Sequence, residues 1–118
     1  MSTNPALPDI LRGAAAQVDE LVAELSAQRS MFAAQLVLDS FAWSGDAAKA
    51  WAKTERVLDT RAVAQLRQAR TLAATLRAAA ASAAGRIDAE RVAAQRAAAA
   101  AAAAQKAAQQ AAQARKGT

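Results

Sequence analysis

Cysteine, histidine and tyrosine are all missing from this sequence. Without cysteine there is no disulfide framework and no thiolate metal site, and composition carries no trace of the redox compartment. Without histidine the commonest general base and the commonest metal ligand are gone, and zinc chemistry is excluded as a reading. Glycine is scarce and scattered singly at positions 13, 45, 85 and 117, so no glycine-rich phosphate loop exists. No stretch approaches the roughly 18 continuous apolar residues of a membrane span. The start, MSTNPALPDILRGAAA, lacks a basic n-region, and Asp9 and Arg12 interrupt its apolar run, so it is not a Sec-type signal peptide. Glu20 and Glu24 share a helical face beside Asp19 but have no pocket-forming context, which makes them a solvated face. Asp39–Ser40 has no histidine to link it into a triad. These absences argue against an enzyme and leave no cofactor to expect.

What is present is dominated by alanine, which makes up most of the hydrophobic residues. Hydrophobic types make up 54% of the 118 residues, but the large apolar set is short, with two methionines, two phenylalanines, two tryptophans and a handful of Leu, Val and Ile. At roughly 25 cal/mol per Å² of apolar surface, such a chain gains little from folding alone. The composition therefore points to a partner or to self-association.

Both prolines lie in residues 1–8, an irregular leader. Pro8 and Asp9 suit the first turn of a helix, where proline needs no amide partner and an acid meets the positive dipole end. Leu11, Ala14, Val18, Leu21, Leu25, Phe32 and Leu36 then trace one helical face, which predicts a helix from about 9 to about 41. At WSGDAA the pattern breaks: Gly45 is conformationally free, and Ser44 and Asp46 are good caps. A second stripe follows through Ala47, Trp51, Leu58, Ala62, Leu66, Ala69, Leu72, Leu76, Ala80, Ala83 and Ile87, predicting a helix from 46 to about 115. A short connection between two long amphipathic helices favours an antiparallel hairpin. The fold class is thus all-α, with a helical hairpin over 9–84, its turn at 42–46, and a basic alanine-rich helical tail over 85–118. Helix 1 is expected to reach back only to about residue 80, with Gly85 a weak point just beyond. The expected partner interface is the two stripes: Leu11, Val18, Leu21, Leu25, Phe32, Leu36, Phe41, Trp51, Leu58, Leu66, Leu72 and Leu76. Gln28 and Gln35 fall where a long parallel zipper would need apolar residues, which favours the hairpin. Glu55, Arg56, Asp59 and Arg61 read as exposed pairs along the second helix.

All four aromatic residues, Phe32, Phe41, Trp43 and Trp51, lie close to the break. A hairpin brings them to one end, where they would supply a large share of the packing. Trp43-Ser44-Gly45 is a W-x-G tripeptide between two helices, followed by GDAAKAW and LRQARTLAATLRAAA. In this the chain resembles the WXG-motif family of small type VII secretion proteins, over about residues 5–84. The resemblance implies a helical hairpin that pairs into a four-helix bundle, as a homodimer or heterodimer. It implies export by a type VII secretion ATPase without a cleaved signal peptide, with Trp43 and Gly45 as motif residues in a composite export signal. The family's tag, a tyrosine followed four residues later by an acid, is missing here. That points to the tagless member of a heterodimer whose partner carries the tag.

The charge is unevenly spread. Residues 1–90 carry ten bases and ten acids, while the tail holds Arg91, Arg96, Lys106, Arg115 and Lys116 with no acid. Fifteen of its 28 residues from Arg91 are alanine, so the tail offers little to a core and reads as a helix-prone spacer. A cytoplasmic helical adaptor is a second reading of the chain. Nonspecific nucleic-acid binding through the tail is a third, although no aromatic is interleaved for stacking on bases.

Overall fold

The first helix starts earlier than the Pro8–Asp9 boundary suggests, because Asn4 caps it. In the computed structural model the Asn4 side-chain Oδ1 accepts the Ala6 amide at 3.0 Å, and its carbonyl accepts the Leu7 amide at 3.0 Å. Pro5 stands between them, where a missing N–H costs nothing. Helix α1 then spans Leu7–Ser40 and α2 spans Gly45–Lys116. The structure describes residues 2–40 and 45–117, with the side chains of 36–40 outside that description. Among the described residues there is no strand. Gly45 opens α2 at φ +73°, a left-handed conformation that side chains resist. Gly85 does not interrupt α2, since strong helix formers on both sides carry the helix through it.

The two helices lie against each other as a hairpin. Cross-helix bonds join Arg29 to Asp59, Asp19 to Arg77 and Thr3 to Glu90, so the partners run in opposite order along the two helices. The leader thus makes contact well beyond residue 80 of α2. The overall extents are 110 × 16 × 14 Å, a rod two helices thick. Its length is set by α2, whose 72 residues at a rise of 1.5 Å give about 108 Å.

Small side chains form the seam. Pro8, Ala15 and Val22 are buried on α1, seven residues apart, and Leu66, Ala73 and Ala80 are buried on α2 at the same spacing, with Ala83 beside them. Half-buried Ala62, Ala69, Leu76, Ile87 and Glu90 fill the alternate positions on α2. This is a 3.5-residue repeat, the pattern of helices coiling around one another. Alanine and valine at the contact let the axes approach closely, since interaxial distance is set by the side chains between them. Residues 91–116 continue α2 as an exposed helix.

Candidate partner-binding surface

With the seam taken up by small residues, the large ones stay outside. Of the expected interface residues, Leu66 is buried, and Leu11, Val18 and Leu76 are half-buried. Leu21 is 57% exposed and Leu72 50%, and Leu25, Phe32, Trp51 and Leu58 are likewise exposed. Trp43, Ser44 and Phe41 lie outside the described residues, as does the side chain of Leu36.

The exposed residues are not scattered. On α1, Leu21, Leu25, Gln28 and Phe32 follow helical spacing on one flank of the seam. On α2, Trp51, Leu58, Gln65 and Leu72 recur every seven residues, one position before the seam line of Ala52, Asp59, Leu66 and Ala73. A groove of about 470 Å³ brings the two rows together, lined by Leu25, Phe32, Leu58, Leu66, Gln28 and Gln65 among others. Exposed Ile10 borders the same flank, whereas Met31 on α1 and Val57 and Val92 on α2 face elsewhere. The result is one predominantly apolar flank along the hairpin. Of the aromatic cluster expected at the turn, Phe32 and Trp51 are described, and both remain substantially exposed.

Polar pairs fasten the helices around this flank. Arg29 holds Asp59 across the seam in a two-point contact, Nε to Oδ1 at 2.5 Å and the second guanidinium nitrogen to Oδ2 at 3.0 Å. Both residues line the groove. Asp59 thus pairs with the other helix and not with neighbours on its own, because a guanidinium from α1 meets its carboxylate at both oxygens. That hydrogen bond pulls the Asp59 carboxyl below its ordinary value against some desolvation, and it raises Arg29 in turn. On the opposite flank, Arg77 donates to Asp19. At the far end the Glu90 carboxylate accepts the Thr3 hydroxyl at 2.7 Å and the Thr3 amide at 2.9 and 3.1 Å. The hydroxyl chiefly, then the amide, holds Glu90 below its usual range, again against desolvation. These three clamps escape a reading of periodicity, since each joins residues distant in sequence. Ala80 and Ala83 lie on the stripe that periodicity traces along α2, whereas Ala15 and Ala73 lie off the traced stripes and are buried by the close approach of the helices.

Compared with family models, curated proteins and solved structures, the chain matches none. Among the described residues no group of acids is placed to hold a metal ion, and no helix is long and apolar enough to cross a membrane. What the arrangement offers chemically is a surface: an apolar strip interrupted by Gln28 and Gln65 and fastened by a charged clamp.

Proposed function

We propose that this chain acts by protein–protein binding, as an antiparallel hairpin that lays its apolar flank against a second helical hairpin to make a four-helix bundle. The observation that carries the reading is the sorting of side chains by size. Small residues close the hairpin, while Leu21, Leu25, Phe32, Leu58 and Leu72 are left exposed along one side. Burying the exposed part of each is worth about 1 kcal/mol, half the value of a whole side chain. A surface of that kind on a small chain marks an interaction site.

The role of the pair follows from the W-x-G resemblance. In this reading the chain is a type VII secretion substrate or a co-secreted chaperone, made in the cytoplasm and exported without a cleaved signal peptide. Its partner is a small helical hairpin that carries the tyrosine tag this chain lacks, and the secretion ATPase recognises the pair. Support comes from the position of Trp43-Ser44-Gly45 between α1 and α2, and from Gly45 adopting a conformation that favours glycine.

One experiment separates the two halves of the proposal. Wild type, Trp43→Leu and a Leu21→Glu/Leu72→Glu variant are expressed with the neighbouring hairpin protein, and each chain is measured in culture filtrate, in lysate and by co-purification. The double variant is expected to lose co-purification and export together. Trp43→Leu is expected to keep co-purification and lose export. Undiminished pairing in the double variant would remove the binding reading. Full export of Trp43→Leu at normal cellular levels would remove the secretion reading and leave binding intact.

A further inference from the structure

Opposite the apolar flank, the fold assembles a feature that net charge conceals. Residues 1–90 are neutral as a whole, but the two helices are not: α1 holds five acids against two bases, and α2 up to Glu90 holds eight bases against five acids. The surplus is placed on one line. Lys49, Lys53, Arg56, Arg67 and Arg70 fall at alternating three- and four-residue positions of a single stripe, whose intermediate members are Thr60 and Val63. All five cations are exposed. Lys49, Lys53, Arg56 and Thr60 border one open depression with Val57 and Arg61. The stripe ends at Arg77, the one member whose charge is met by α1, through Asp19. None of the five is within ion-pair distance of a described carboxylate. Asp46 stands at the stripe's start, and Glu55 and Asp59, although next to Arg56 in sequence, line the groove of the other flank.

We infer that this stripe is a binding surface for the phosphate backbone of duplex nucleic acid. Three features select that partner. First, the stripe contains donors and no exposed bulky apolar group. A protein partner would need an apolar core of contact to bind well, and this flank offers a single exposed valine, Val57, at the border of the depression. Second, α2 is one uninterrupted helix here, so Lys49 to Arg70 spans about 32 Å at 1.5 Å per residue. That matches about ten base pairs of duplex, with a phosphate on each strand every 3.4 Å along the axis. Third, no aromatic interrupts the stripe for stacking on unpaired bases, which favours backbone contact without sequence preference. The tail is not the site in this account. Its five cations are spread over the helix circumference, at positions 91, 96, 106, 115 and 116, and are separated by alanine.

Two full-length variants with equal charge loss test the assignment. One replaces Lys49, Lys53, Arg56, Arg67 and Arg70 with glutamine. The other replaces Arg91, Arg96, Lys106, Arg115 and Lys116 with glutamine. Binding to a 30-base-pair duplex of random sequence is followed by fluorescence anisotropy from 50 to 200 mM salt, with helix content checked by circular dichroism. Wild type is expected to show a log–log salt slope of about −4 to −5, which is about a 500-fold loss over that range for five phosphate contacts. The tail variant is expected to keep that slope, and the stripe variant to lose most of it at unchanged helix content. Equal losses in both variants would overturn the inference and leave only net charge. A loss confined to the tail variant would overturn it, as would binding to anionic lipid vesicles without binding to the duplex. If the stripe variant proves unfolded, Lys53→Gln and Arg67→Gln singly are each expected to shallow the slope by about one, and no change in either overturns the inference.

Discussion

Adjacent residues Leu72 and Ala73 test the architecture most sharply, because ordinary expectation ranks them the wrong way round. Leucine is the usual core residue and alanine the neutral one, yet here Leu72 is 50% exposed and Ala73 1%. Ala73→Leu inserts three heavy atoms into a seam where Ala15, Ala80 and Ala83 are likewise almost fully buried. Either the helices separate locally or the new side chain takes a strained rotamer, and overpacking of this kind costs about 1–3 kcal/mol. Leu72→Ala removes a side chain with only half its surface covered. Full burial of a leucine is worth roughly 1.5–3 kcal/mol, so the loss is about 1 kcal/mol, reduced by the better helix propensity of alanine. Ala73→Leu should therefore be the more damaging change. The assay is urea denaturation followed by circular dichroism, at a dilution where sedimentation reports a single chain, so that lost pairing does not add to the Leu72 value. If Leu72→Ala destabilises the single chain more than Ala73→Leu does, the seam is rotated from where the structure puts it and the apolar flank is not free.

The glycines give a second comparison. A Cβ at Gly13 or Gly85 would meet nothing within 4 Å, so Gly13→Ala and Gly85→Ala should each raise stability by about 1 kcal/mol in the same denaturation assay. Gly45→Ala should lower it by about 1–2 kcal/mol, because alanine resists φ +73° even with open space around it; a gain at Gly45 or a loss at Gly85 would refute the backbone assignments. The third prediction concerns acid. Asp59 and Glu90 both titrate below their ordinary values in the folded chain, so their contribution is fully present above the unfolded values of about 3.9 and 4.3 and is lost as pH falls through the lower folded values. Midpoints should hold from pH 7 to about pH 5 and fall below it, and an Asp59→Asn/Glu90→Gln variant should show a shallower fall; an identical fall would show that these clamps do not hold in solution.

How much of this was legible in the sequence follows from what each feature depends on. Two long helices and the break between them come from local signals: alanine content, three-and-four spacing, and glycine with capping residues at WSGD. These act within a few residues, and the structure has α1 and α2 on either side of that break. α1 starts at Leu7, ahead of the Pro8–Asp9 signal, because Asn4 caps the turn that leads into it and Pro5 fits just inside that cap. The face each helix turns inward is a different kind of property. Reading a stripe by size selects Leu21, Leu25, Leu58 and Leu72, because large residues dominate hydrophobic gain. Two helices that must approach closely select Ala15, Val22, Ala73 and Ala80, because only small residues fit between them. On α2 the two lines differ by one residue, about 100° of rotation, and composition alone does not choose between them. The clamps Arg29–Asp59 and Thr3–Glu90 depend on helix register, which is set only once that rotation is fixed.

The same sorting connects stability to binding. An alanine seam buries little area per residue, and exposed ion pairs such as Arg29–Asp59 and Arg77–Asp19 add modestly at best, so the hairpin alone is held weakly. Any ligand that binds the folded form alone then stabilises it in proportion to the logarithm of its concentration over its Kd. A chain built this way is firm when occupied and loose when not. The apolar and basic flanks lie on opposite sides of the seam, so in the proposed scheme a hairpin paired through Leu21 and Leu72 still presents Lys49 to Arg70 outward. The two surfaces share no lining residue, so each is open to its own partner. Pairing and phosphate binding would then stabilise the same two helices, each through a surface that the small-residue seam leaves free.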